Sequence, residues 1–250
     1  MFFDVINSGS KGNATLVFTS ECLILIDMGI NISTLEDELR KFDKEIKDID
    51  VCLITHNHSD HIKNIKCLSP KKIYSLKGSV AGDLSNILEN NVPFKIKGVE
   101  ITPFPISHDA INPCGYKIKE KDASLVYMTD TGMYLSENTP LIKNPTYLII
   151  ESNHDISMLL KTNRPVELKE RIMSTYGHLC NEDSAFAALE IIGNDTKEIV
   201  LAHLSEEANT PALALQAYKN IFNYAGVRID KYLIRCANQY IPLIGGDYED

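Results

Sequence analysis

Nowhere does this chain of 250 residues run for about eighteen uncharged apolar residues, so no window reads as a membrane-spanning helix. The N-terminus, MFFDVINSGSKGN, lacks a basic segment followed by a long apolar one, so no export signal is read there either. Together these absences predict a soluble, cytoplasmic protein with no membrane partner. The six cysteines form no C-x-x-C pair, which excludes a zinc ribbon and gives no disulfide framework. Reduced thiols are expected. Positive charge is also scarce: a formal net charge of −9 argues against indiscriminate coating of nucleic acid. A local basic face or bound cations could still receive an anionic substrate. Absent, too, are a break in composition, a low-complexity linker and a fixed-period repeat. With 44% hydrophobic residues, 1–250 is expected to fold as one domain around one core, with a frayed acidic tail from about residue 245.

What the chain does have is a series of short β-rich runs, several ending in a polar cluster. They are ATLVFTS, CLILIDMG, DVCLITHNHSDH, VEITPFPISHD, SLVYMTDTG, TYLIIESNHD and EIVLAHLS. Polar side chains placed just past strand ends converge on one rim of a sheet. Between them lie three helical stretches. Residues 33–42 open on Ser33 with Glu36 three positions on, a capping-box pattern. Asn181 precedes EDSAFAALEIIG, with acids in its first turn and Gly193 at its end. Thr210 and Pro211 open a third helix that Gly226 closes. Alternating strands and helices predict mixed α/β layers with sheets inside.

The seven histidines stand at 56, 58, 61, 108, 154, 178 and 203, and three of them fall within THNHSDH. Imidazole nitrogens and carboxylate oxygens suit Zn²⁺ and Mn²⁺, and a tight H-x-H-x-D-H turn can face two adjacent ions. Two metals sharing a carboxylate can activate a water and steady a leaving oxygen. The remaining donors are then expected from SHD at 107–109, TDTG at 129–132 and AHLS at 202–205. A single histidine at a strand end is ordinarily just a hydrogen-bonded polar residue. The ordered set, ILIDMG, THNHSDH, PISHD, YMTDTG and VLAHLS, points to a dinuclear metal site instead.

Those five ordered motifs resemble the metallo-β-lactamase superfamily over nearly the whole chain. The resemblance implies an α/β fold of the αββα sandwich type. It also implies His56, His58 and His108 on one metal, Asp60, His61 and His203 on the other, and Asp130 bridging, with Asp27 supporting the site from behind. Asp27 alone would read as a turn-forming acid after a strand. The intact H-x-H-x-D-H cluster is similar to that of the hydrolases of the superfamily, not to that of its oxygen reductases. LIIESNHD and STYGHLCNED resemble the Glu and His segments of the phosphodiesterase members, which implies that Glu151 and His178 protonate the leaving oxygen. The departure is Leu179-Cys180 after His178, where those members have Ser-Thr. Read structurally, Glu151 would cap a loop and His178 would neighbour a helix start.

SGSKGNAT, ISHDAINPCGYKI and GHLCNEDSA further resemble the YycJ/WalJ (VicX) group of bacterial DNA-processing proteins. That resemblance implies a 5′-to-3′ DNA exonuclease. The short spacings from His108 to Asp130 and from Asp130 to His203 leave no room for a tRNA-binding arm or a β-CASP domain. On this reading Asp60 orients the attacking water. Lys11 and Asn13, in the SGSKGN loop, and Arg164 and Arg171, between the two acid-base segments, contact substrate phosphates. As plain sequence the loop is an ordinary turn and the basic residues are solvated surface. Two rival functions stay open: a thioester or lactone hydrolase of the glyoxalase II type, and a non-catalytic metal-binding regulator.

Overall fold

In the computed structural model, residues 1–82 and 84–248 are described. The strands are β1 (Phe2–Asn7), β2 (Ala14–Phe18), β3 (Leu23–Ile26), β4 (Val51–Ile54), β5 (Ile73–Leu76), β6 (Asn86–Leu88) and β7 (Phe94–Ile96). They continue with β8 (Val99–Pro105), β9 (Cys114–Glu120), β10 (Ala123–Met128), β11 (Tyr147–Glu151), β12 (Glu198–Ala202), β13 (Leu233–Cys236) and β14 (Leu243–Gly246). The helices are α1 (Ile32–Lys41), α2 (Ser59–Ile62), α3 (Thr139–Ile142), α4 (Ile156–Lys161), α5 (Val166–Met173), α6 (Asn181–Ile191) and α7 (Pro211–Tyr224). One sheet has the order β14-β1-β2-β3-β4-β5-β6, the other β13-β12-β11-β10-β9-β8-β7.

The period of two along each strand builds the layers. Val17, Ile24, Ile26 and Leu53 of the first sheet pack against Tyr116, Leu125, Tyr127 and Ile149 of the second. Their neighbours point the other way: Leu16, Leu25 and Ile54 meet Leu35 and Leu39 of α1. On the far side, Val126, Leu148 and Leu201 meet Ala188, Ala214 and Tyr218 of α6 and α7. Helices thus cover both outer faces of two stacked sheets, the αββα sandwich expected. Burial on both faces explains why the strands read as near-continuous apolar runs.

The third helix begins as expected, with the Thr210 hydroxyl accepting from Leu213 N at 3.2 Å, and Gly226 follows it at φ +69°. The other two start differently. α1 begins at Ile32 with Asn31 as its N-cap, and no side chain caps it, so Ser33 and Glu36 form no capping box. α6 is capped by Cys180, whose sulfur accepts from Asp183 N. Asn181 lies one residue inside, because its side chain is engaged with Ser152 and Asn209. Gly193 falls beyond the helix, where a Cβ would stand 2.2 Å from Asn144 Oδ1. The tail expected to fray from about residue 245 begins inside β14: Gly245 and Gly246 pair with Phe3 and Phe2, and Tyr248 packs on Phe2 and Phe42. Residues 249 and 250 of that tail lie outside the described residues. Among the described residues no helix is long and apolar enough to cross a membrane.

β3, β4 and β5 run parallel, as do β10, β11, β12 and β13. Their C-terminal ends carry Asp27, the His56–His61 segment, Asp130, Glu151 and His203. Asp27, Asp130 and His203 each follow a strand with positive φ, at 61°, 56° and 56°. Such left-handed non-glycine residues are uncommon and cost free energy, and they gather where a site requires them.

Candidate metal centre and adjoining cavity

His56, His58 and His108 bring one ring nitrogen each within 4.8 Å of one another, and so do His56, His61 and Asp130 through their own donor atoms. Asp130 lies between the histidines, with Oδ2 3.4 Å from His61 Nε2 and Oδ1 3.5 Å from His203 Nε2. Asp60 Oδ2 is 3.6 Å from His61 Nε2. The turn can approach this closely because Gly29 has no side chain: a Cβ there would stand 1.5 Å from Asp60 O.

The other ring nitrogens are held from behind. His61 Nδ1 donates to Asp27 Oδ2 at 2.8 Å, and Asp27 also accepts from Thr55 N and Thr55 Oγ1. His108 Nδ1 donates to Gly177 O at 3.1 Å. His203 Nδ1 donates to Glu151 Oε1 at 2.8 Å. With Nδ1 committed, each ring presents Nε2 inward, the arrangement that fixes tautomer and orientation around a metal.

Charge is concentrated here. Burial favours neutral rings at His61 and His203, yet Asp27 and Asp130 for the first, and Asp130 and Glu151 for the second, hold both up to about 9. Burial likewise opposes ionisation of Asp130, but His203, His61 and His56 outweigh it and keep the carboxyl well below its usual range. His56 is driven the other way, toward the neutral ring, by burial and then by His61. His56 Nε2, His203 Nε2 and Asp130 Oδ2 are buried with no hydrogen-bond partner. An unsatisfied buried polar atom costs roughly 1–3 kcal/mol, and these atoms belong to groups that converge. The donor set, imidazoles and a carboxylate, fits divalent metal ions.

Glu151 is fully buried and its carboxylate is saturated. Oε1 accepts from both His178 Nδ1 and His203 Nδ1 at 2.8 Å, and Oε2 accepts from Thr131 N and Leu179 N. Burial opposes its ionisation, but His178 and His203 hold its pKa down to about 2. One carboxylate therefore ties the expected acid, His178, to His203, whose Nε2 faces Asp130.

His178 and His203 border a cavity of about 280 Å³ whose wall includes Arg164, Arg171, Leu168 and Ile172. The two arginines expected to touch substrate are thus both beside the site. Arg164 Nε donates to Glu207 at 2.9 Å, and Arg171 donates in bidentate fashion to Asp109. Lys11 is directed elsewhere, to Glu206 at 2.9 Å and Tyr240 Oη at 2.7 Å. Asn13 is buried in its own turn, accepting from Gly9 N, with Nδ2 3.0 Å from His61 Nε2. The motifs of the sequence assign no individual role to Asp109, which lies in the SHD segment, or to Thr55 and Asn153. Asp109 Oδ1 lies 3.5 Å from His108 Nε2, and Asn153 Nδ2 donates to His203 O at 2.9 Å. All three adjoin a histidine motif, which was the available signal.

The profile of the beta-lactamase superfamily domain matches residues 23–204. The chain belongs to that superfamily. It is 34% identical over 241 residues to Exodeoxyribonuclease YycJ of Bacillus anthracis, covering 90% of each chain. It is 34% identical over 245 residues to Exodeoxyribonuclease WalJ of Streptococcus pneumoniae serotype 2, covering 91% of each. The metallo-beta-lactamase fold protein YhfI of Bacillus subtilis superposes with a TM-score of 0.71 at 16% identity, covering 98% of this chain and 99% of that one. The present chain is accordingly a metal-dependent hydrolase of the superfamily, in the YycJ/WalJ group.

Proposed function

We propose that the protein is a dinuclear-metal phosphodiesterase, a single cytoplasmic domain that shortens DNA from its 5′ end. The observation that carries this reading is the shared carboxylate: Glu151 holds both His203, whose Nε2 faces Asp130, and His178, and both histidines border the cavity. His56, His58 and His108 would hold one ion, Asp60, His61 and His203 the other, with Asp130 between them. Two Zn²⁺ or Mn²⁺ ions bound there would lower the pKa of a water toward about 7 and neutralise charge developing on the phosphoryl oxygens.

The chain's own residues do the rest. Asp60 orients the attacking water. Glu151 fixes the Nδ1 proton of His178, leaving Nε2 to donate a proton to the departing sugar oxygen. Arg164 and Arg171 offer guanidinium donors to phosphate. A thioester or lactone hydrolase would be served by a small apolar pocket without basic residues, and this cavity has two arginines. A regulator without catalysis has no use for a cavity-facing His–Glu pair.

The test is an assay of metal-loaded protein on end-labelled DNA, beside bis(p-nitrophenyl) phosphate and S-lactoylglutathione. Mononucleotides released successively from the 5′ end support the proposal. Turnover of the thioester with both phosphodiesters untouched would overturn it.

A further inference from the structure

His58 differs from its neighbours in the ring nitrogen that it turns to the centre. Its Nδ1 stands 3.3 Å from His108 Nε2, so these two rings converge through unlike nitrogens. His61, His108 and His203 are each held at Nδ1 by Asp27, Gly177 O and Glu151, and present Nε2. The nitrogen of His58 left for support is therefore Nε2, and Asp109 Oδ1 lies 4.0 Å from it. Among the described residues no other carboxylate comes so near that atom.

Asp109 is firmly placed for an acid at the surface. Arg171 Nε donates to its Oδ2 and Arg171 Nη2 to its Oδ1 at 3.0 Å, while its own backbone N donates to Tyr176 O at 3.1 Å. Helix α5 and the turn after it thus set the carboxylate against the histidines. Burial opposes its ionisation, but Arg171 and then His108 keep the carboxyl below its usual range, so it is an acceptor at neutral pH. An acceptor at Nε2 keeps the ring proton there and leaves the Nδ1 lone pair free for a metal. The 4.0 Å separation is longer than a hydrogen bond, and one water or a small rotation of the partly exposed His58 ring spans it.

Resting on the dinuclear reading above, and on no choice of substrate, we infer that Asp109 is a positioning residue for the three-histidine metal site. Anchored by Arg171, it fixes His58 in the form that binds through Nδ1 and so strengthens that site's hold on its ion. A direct bond from Asp109 to the ion is the rival arrangement, because Oδ1 is also 3.5 Å from His108 Nε2. The Arg171 contacts weigh against it, since both carboxylate oxygens already accept from the guanidinium.

The experiment uses full-length, Zn²⁺-loaded protein and two measurements. Chelator competition reads the affinity of each ion, and ¹H–¹⁵N NMR of labelled histidines reads which nitrogen of His58 binds metal and how fast its other N–H exchanges. Native protein should hold two ions, with His58 bound through Nδ1 and a slowly exchanging Nε2–H. In Asp109→Asn one ion should be held about 10–100-fold more weakly, the usual cost of losing such an outer carboxylate, and the Nε2–H should exchange faster. Because the two ions are compared within one preparation, a general loss of folded protein weakens both alike, and that result overturns the inference. So does His58 bound through Nε2 in native protein, or an unchanged affinity in the variant. Weaker binding with unaltered Nε2–H exchange makes Asp109 a direct donor and overturns the positioning role. Native protein that holds fewer than two ions overturns the dinuclear reading with it.

Discussion

His178 and His203 share one carboxylate oxygen of Glu151, yet their expected failures differ. His178 approaches Asp130 only with Nδ1, at 3.9 Å, and that nitrogen is committed to Glu151, so His178→Ala should spare metal content and slow DNA cleavage by roughly 10²–10⁴-fold, the range for loss of a general acid. A p-nitrophenolate leaving group hardly needs a proton, so the loss on bis(p-nitrophenyl) phosphate should be far smaller. Equal losses on the two substrates would assign His178 a structural role. Asp130 is different because its two oxygens face different histidines. Asp130→Ala should lose the second ion on dialysis and lose activity, as read by elemental analysis and assay. Two retained ions and full rate would show that another group bridges. These residues were legible because each closes a strand-end motif. Asp109 was not, because its meaning depends on Arg171, which reaches it from a distant helix.

At the scale of elements, the site depends on how closely the turn after β3 approaches α2. Gly29→Ala would set a Cβ 1.5 Å from Asp60 O, backbone that carries the H-x-H-x-D-H turn. The expected result is a loss of about 2–4 kcal/mol in urea unfolding of the metal-free protein, with weakened metal retention. Gly98→Ala is the control: it sits at φ +79° with nothing within 4 Å, so only backbone strain of about 1–2 kcal/mol is expected, and metal content should not change. Comparable losses for both would remove close approach as the reason for Gly29. Helix starts were less legible than strands. Ser33-x-x-Glu36 satisfies the capping pattern locally, but α1 packs Leu35 and Leu39 on the first sheet and begins at Ile32. Packing outweighs a cap worth roughly 1 kcal/mol.

At the scale of the whole molecule, one buried acid ties stability to pH. Asp4 of β1 lies under α1 beside Glu38, while Lys41 donates to both oxygens of Glu38. Burial, then Glu38, raises the Asp4 pKa to about 7. The folded state therefore holds this proton more tightly than the unfolded state, whose carboxyl titrates near 3.8. The sign follows: this site's contribution is most favourable below about pH 4, declines as pH rises to about 7, and is level above that. Asp4→Asn should remove about 2–4 kcal/mol of that decline, seen as a smaller difference between urea midpoints at pH 5 and pH 8 in metal-free protein. An unchanged difference would place the titration elsewhere.

By itself the sequence determined the layered α/β architecture and the donor types of the site. Strands buried on both faces must be apolar throughout, and polar residues just past their ends have nowhere to go except the rim. Leu16 to Val17 and Leu25 to Ile26 show that alternation serving two cores at once. Only the tertiary structure decided which groups meet. It gave one Glu151 oxygen to two histidines, turned Lys11 away to Glu206 and buried Asn13 against His61. It also brought Arg164 and Arg171 to the wall of a single cavity beside His178. The physical reason is range: periodicity and motif spacing act within one element. A shared hydrogen bond or a cavity wall depends on the relative placement of several elements, which the packing of the two sheets and their covering helices sets.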